Sequence, residues 1–204
     1  MATRTKQARR GGRWGVERLE GRTLLNASID IAADGSLLYR TDPGAAESLR
    51  VSVAGGVYTF AVDATNNPID VTGNAAGLTT TGSGTRTVTV AGPSRLRIEM
   101  TAGGQSAWVQ STSTATAVVF QGDNETLVLG GGSGGVQALT GAITVTAAAG
   151  SELNRLTVDD GSASYGEGTS PSYVVTAGAV RENDPAVQAL FAGVTYSGVS
   201  ELTV

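Results

Sequence analysis

Residues 118–129 read Val118-Val119-Phe120-Gln121-Gly122-Asp123-Asn124-Glu125-Thr126-Leu127-Val128-Leu129. Two short apolar runs flank a turn that carries a glycine. Runs this short, rich in β-branched residues and bounded by turn chemistry, read as strands; a helix needs a longer stretch at a 3.6-residue period. The same unit recurs. Val88-Thr89-Val90 precedes Gly92 and Leu96-Arg97-Ile98, and Ile143-Thr144-Val145 precedes Gly150 and Leu156-Thr157-Val158. Val194-Thr195-Tyr196 precedes Gly198 and Leu202-Thr203-Val204. The four first strands start 30, 25 and 51 residues apart, and Tyr173-Val174-Val175-Thr176 falls near the middle of the longest gap.

A period of that order fits the coils of a repeat array, in which each coil buries its apolar row only by stacking on the next. The expected fold is therefore all-β, a parallel β-helix or β-solenoid-like stack with Gly-rich turns. The irregular spacing leaves an antiparallel β-sandwich as the alternative. Upstream, Leu49-Arg50-Val51-Ser52-Val53 and Val57-Tyr58-Thr59-Phe60-Ala61-Val62 alternate with the period of a half-buried strand. Gly55-Gly56 between them suits a hairpin turn with positive φ. Residues 65–68 and 73–84 read as loops. One helical turn is expected at 183–191, with Asp184 near its N-cap and Pro185 in its first turn. Three regions follow: a basic head over 1–28, a hairpin-rich part over 29–84, and solenoid-like repeats over 85–204. The final run, Val199 to Val204, is the second strand of a unit. The array is thus expected to be truncated there and to self-associate through open strand edges.

Composition narrows the chemistry. The chain contains neither histidine nor cysteine, so histidine-dependent triads, thiolate nucleophiles and the usual zinc ligand sets are excluded. Seven of its 14 basic residues lie within the first 22 positions. Beyond them stand 16 acids against 7 bases, a net charge of −9. A body that acidic argues against nucleic acid as partner, because phosphate binding needs a density of Lys and Arg. No run of 18 apolar residues exists to form a transmembrane helix.

The segment Gln121 to Gly132 resembles a decayed calcium nonapeptide, a glycine turn with an acidic residue that would offer oxygens to the ion. Glu125 stands where the motif has Asp, and Asp123 replaces a glycine. A second copy, Ala147 to Asp160, places Glu152 in the analogous position. These read as structural turns, so no cofactor is expected, and Asp123, Glu125 and Glu152 are the candidates should calcium bind. Asp159-Asp160 would point to opposite faces of a strand and reads as a solvated turn. Gly130–Gly135, with sequence GGGSGG, lacks the following Lys of a phosphate loop and reads as a connector.

The head has the basic part of a secretory signal but only Leu24-Leu25 for its apolar part. Its stretch Val16-Glu17-Arg18-Leu19-Glu20-Gly21-Arg22-Thr23-Leu24-Leu25 nevertheless resembles the "LE-x-R-x-LL-(small)" segment that opens many large exported proteins of planctomycete bacteria. Gly21 stands where many of those have Pro or Asp. The resemblance implies export or surface sorting, with Arg18, Leu19, Glu20, Arg22, Leu24 and Leu25 as the sorting-like residues. Segments such as LRVSVAGGVYTFAVD and ITVTAAAGSELNRLTVDDGSA are similar to the repeat regions of the same surface proteins. The expectation is a non-catalytic structural or adhesive module of an exported cell-surface protein, with other surface or matrix components as partners. The alternative is the N-terminal fragment of a carbohydrate-active β-helix enzyme.

Overall fold

The computed structural model describes residues 27–41, 43, 46–63, 68–101, 103–161, 172–183 and 191–204. The sorting-like residues of the head and all but the ends of the expected helical turn, Asn183 and Phe191, lie outside these.

The described residues form seventeen strands and one short 3-10 turn, Gly135–Ala138. In chain order the strands are β1 (Ala27–Ile31), β2 (Ser36–Arg40), β3 (Ser48–Ala54), β4 (Val57–Val62), β5 (Ile69–Gly73), β6 (Thr79–Thr81), β7 (Thr87–Ala91), β8 (Arg95–Met100) and β9 (Ser106–Val109). They continue as β10 (Thr116–Phe120), β11 (Thr126–Gly130), β12 (Ile143–Ala147), β13 (Arg155–Asp159), β14 (Tyr173–Thr176), β15 (Ala179–Glu182), β16 (Val194–Ser197) and β17 (Glu201–Thr203). The protein is all-β. It has two mixed sheets, a nine-stranded one ordered β14-β15-β16-β12-β10-β8-β2-β1-β5 and an eight-stranded one ordered β17-β13-β11-β9-β3-β4-β7-β6.

The parallel pairs set the plan. From β8 to β13 the chain visits the two sheets alternately, and each strand lies parallel beside its predecessor in the same sheet. β16 and β17 extend both ladders, and β2 and β3 begin them. The register brings apolar rows together. Tyr39, Ile98, Val118, Val145 and Tyr196 share one position of the first sheet. Leu49, Ala107, Leu127, Leu156 and Leu202 share one position of the second. Alternate residues of β2, β8, β10, β11, β12 and β13 are buried, and they join one core cluster drawn from both sheets. Burial of such rows is the main stabilising term, at roughly 25 cal/mol per Å² of apolar surface removed from water.

Two excursions interrupt the alternation. Between β3 and β8 the chain adds β4, β7 and β6, antiparallel, to the second sheet, and β5, parallel to β1, to the first. The hairpin joining β3 to β4 turns at Gly55 and Gly56, with φ of 58° and 78°, which suits residues without a Cβ. Between β13 and β16 the hairpin β14–β15 docks antiparallel on β16.

Three sequence expectations change here. Thr79–Thr81 is a strand within the stretch read as a loop; all three threonines are exposed on an edge, so no apolar alternation marks them. Tyr173–Thr176 is a strand, but it runs antiparallel at a sheet edge and is not a further stacked unit. The head boundary at 28 falls inside β1, because Ala27 is buried and pairs with Ile69.

The first excursion is fastened by Tyr58. Its hydroxyl accepts the backbone N–H of Ser113 at 2.8 Å and of Thr114 at 2.9 Å, and lies 3.0 Å from the hydroxyl of Thr112. Tyr58→Phe leaves both N–H groups without this acceptor, so it is expected to destabilise the fold by about 1–3 kcal/mol in urea titration. A change below about 0.5 kcal/mol would show that water replaces the hydroxyl without loss.

Candidate binding trough

The outer face of the first sheet carries two neighbouring rows. One runs Leu38, Arg97, Ala117, Thr144, Thr195 across β2, β8, β10, β12 and β16. The other lies one position outward from the paired inner residues, through Ser36, Arg95, Ala115, Ala142 and Gly193; Leu96 donates its N–H to Ala115 O and Thr116 donates to Ala142 O. Strand periodicity turns these rows away from the core that Leu37, Leu96, Ile143 and Val194 enter. Because Ala115, Ala117, Ala142 and Gly193 are small, the face is hollow along its middle. One hollow, of about 730 Å³, is lined by Leu38, Arg40, Arg95, Arg97, Ala117 and Thr144 among others. A second, of about 570 Å³, shares Ala142 and Thr144 with it and continues to Arg181, Phe191 and Thr195. Together they form a trough that crosses the strands.

Charge is concentrated there. Arg40, Arg95, Arg97 and Arg181, four of the seven basic residues beyond the head, line the two hollows. Arg40 pairs with Asp30 and, at 3.1 Å, with Glu99. Arg97 meets the other oxygen of Glu99 at 2.8 Å. Arg95 and Arg181 make no ion pair among the described residues. Arg181 crosses Gly193, where a Cβ would stand 3.4 Å from the arginine's Cγ. Guanidinium groups above a floor of methyls and hydroxyls can hold an anion, and the carboxyls of Asp30 and Glu182 line the same hollows.

The sequence candidates lie elsewhere. Asp123 Oδ1 accepts the backbone N–H of Glu152 at 2.6 Å, which joins consecutive turns of the second sheet. Glu125 is fully buried, accepts from the Gly122 N–H at 3.2 Å, and leaves Oε2 without a hydrogen-bond partner. Burial pushes its carboxyl up to about 7, against the backbone donors Gly122 and Gln121 that pull it down; the charge of Asp123 pushes the same way as burial. Glu152 is exposed. The structure links Asp123 and Glu152 by a main-chain contact but gathers no group of three acidic side chains suited to a metal among the described residues. Thermal melts in calcium and in chelator are expected to agree within about one degree. A calcium-dependent rise of several degrees would restore these three acids as ligands.

Glu125 belongs to a different pattern. Glu47, Gln105, Glu125 and Asn154 each stand immediately before a strand of the second sheet, and all four are buried. Main-chain bonds tie them in a column: Ser106 N–H to Glu47 O, Thr126 N–H to Gln105 O and Arg155 N–H to Glu125 O. Asn154 Oδ1 accepts the Glu125 N–H at 2.9 Å.

Asp159 Oδ1 accepts from the Gly161 N–H at 2.9 Å, whereas Asp160 accepts from the Val136 N–H at 3.2 Å and the Tyr173 hydroxyl at 2.5 Å. The two adjacent acids thus serve separate turns. The GGGSGG segment connects β11 to β12 through the 3-10 turn, and Trp108 Nε1 donates to Gly130 O at 2.8 Å.

Sequence reasoning did not find the trough. Its one legible trace is the alternation of Arg95 and Arg97 with buried Leu96 and Ile98. No protein family, curated protein or solved structure matches this chain. Among the described residues no helix is long and apolar enough to cross a membrane.

Proposed function

We propose that the chain is a non-catalytic structural or adhesive module of an exported cell-surface protein, folded as a parallel β-helix with two inserted excursions. The observation that carries this reading is the pair of parallel ladders, in register in both sheets, with two adjoining hollows across one outer face. Stacked coils build a long, regular surface from short repeats, which suits a scaffold that presents a binding face. Export rests on the resemblance of residues 16–25 to the planctomycete segment. Of the acids at the trough, Asp30 is paired to Arg40, Glu99 to Arg40 and Arg97, and buried Glu182 accepts the Ser172 N–H, which suits binding better than proton transfer. The partners are other surface or matrix components, joined by self-association through open strand edges; nucleic acid does not suit the acidic body.

Two measurements test this. The purified chain, run through gels containing soluble polysaccharides, should be retarded without releasing reducing ends or unsaturated products. Product formation that disappears in Glu99→Gln would establish the enzyme-fragment reading instead. Fused to a reporter in a planctomycete host, residues 1–28 should direct it to the cell surface. A reporter that stays cytosolic would remove the export part of the proposal.

A further inference from the structure

The trough is chemically specific enough to name its occupant. We infer that it holds an acidic polysaccharide of the polyuronate class, lying along the stack with carboxylates on Arg95 at one end and Arg181 at the other. This rests on the adhesive reading above and deepens it.

Three observations carry the inference. The first is charge: the body is acidic, yet four of its seven basic residues line this one face. Two of them, Arg95 and Arg181, form no close ion pair with a described residue, and Arg95 faces only the charge of exposed Asp34 from a distance. A guanidinium fork recognises a carboxylate with two parallel hydrogen bonds.

The second is span. Arg95 lies on β8 and Arg181 on β15, and β10, β12 and β16 stand between them. Four strand spacings separate the two residues, about 19 Å at the usual interstrand distance. The ligand must therefore be extended and carry more than one negative charge.

The third is the floor. Ala115, Ala117 and Ala142 offer methyl groups, and Thr144 and Thr195 offer exposed hydroxyls. Sugar rings present apolar faces and hydroxyl edges that match both. A peptide laid across the same strands finds no main-chain partners, because β8, β10, β12 and β16 already pair with one another. Acidic peptide is accordingly the disfavoured occupant.

The test uses the full chain immobilised for biolayer interferometry. Its ligands are an oligogalacturonate, the same oligomer methyl-esterified, dextran sulfate and poly-L-glutamate. Oligogalacturonate should bind and weaken with added salt, and esterification should weaken it at least about tenfold. Arg95→Ala and Arg181→Ala should each lose about threefold to tenfold, and the double variant more. Ala117→Glu, which puts a negative charge in the floor, should abolish binding. Arg155→Ala, on the opposite sheet, should bind as the parent does. Thermal melts of Arg95→Ala and Arg181→Ala should match the parent, since neither arginine holds a close ion pair among the described residues.

Equal binding of the esterified oligomer, or unchanged binding by both arginine variants, would overturn the inference. Tighter binding of poly-L-glutamate would reassign the trough to acidic peptide, and dextran sulfate binding more tightly than oligogalacturonate would replace uronate by sulfate. Retention of a neutral polysaccharide, unaffected by Arg95→Ala and Arg181→Ala, would remove this occupant while leaving the adhesive reading in place. Retention of no polysaccharide at all would remove both.

Discussion

Truncation of Phe60 to alanine is expected to cost about 3–5 kcal/mol. Phe60 is fully buried on β4. Its ring stacks on Tyr39 of the first sheet at 5.9 Å and 5°, and on Tyr58 of its own strand at 6.4 Å and 25°. Aromatic residues are scarce in this chain, at 5%, and three of them meet here. The ring thus couples an excursion in one sheet to the inner face of the other. Removing it leaves a cavity between two flat rings that cannot both move in. Against a typical total stability of about 5–15 kcal/mol, the variant should unfold at a urea midpoint lower by roughly 1–2 M. Phe60→Leu should lose less, since it keeps most of the volume. A loss under about 1 kcal/mol for alanine would mean that the rings close over the gap and that β4 is not anchored through them.

Glu125→Gln is expected to stabilise the protein above neutral pH. The folded-state carboxyl titrates at about 7, chiefly because it is buried, whereas in an unfolded chain it titrates near ~4.3. Between those values the folded protein keeps a proton that the unfolded chain has released. Stability therefore falls as pH rises from about 4.5 to 7, and the cost is complete above that window. The shift amounts to about 3 kcal/mol. Glutamine keeps the shape and cannot ionise. The variant should match the parent at pH 4 and exceed it by about 3 kcal/mol at pH 8, measured by urea titration at both values. Equal curves at pH 8 would show that the carboxylate is solvated in solution and that the column of buried polar residues is open to water there.

The same residue shows how far the sequence could be read. Glu125 stands between two apolar runs beside Asp123 and Asn124, which reads as a turn with oxygen ligands. Its real neighbours in the column, Gln105 and Asn154, lie 20 and 29 residues away. No scan at fixed period would join them, because the connections between strands differ in length. The strands were the legible part: Val118-Val119-Phe120 and Leu127-Val128-Leu129 announce themselves as short apolar runs on either side of a turn, and Leu49-Arg50-Val51 by alternation. Pairing was legible only where a turn enforced it, as at Gly55-Gly56. The parallel pairing of β1 with β5 joins residues some 42 apart, across three intervening strands whose own alternation gives no sign of it. The trough lay further out of reach, since Arg95, Ala115, Ala142 and Gly193 become neighbours only once the register of four strands is known. Where Gly131 passes Asp159 and Trp108, a Cβ would stand 2.6 Å from the Asp159 carboxylate. That crowding too is invisible along the chain.

The unequal connections have a consequence for how such a chain can change over generations. Extra residues acquired in the loops between β13 and β16, or between β3 and β8, leave the parallel ladders in register, and closing a longer loop costs only about 0.6 kcal/mol per doubling of its length. The two excursions occupy those gaps. One residue gained inside β10 or β12 has the opposite fate: it turns every following side chain of that strand to the other face and breaks the rows on both neighbours. Copying errors are thus sorted by where they fall. Added length is expected at the edges of the stack, while the strands that carry the floor of the trough should keep their count.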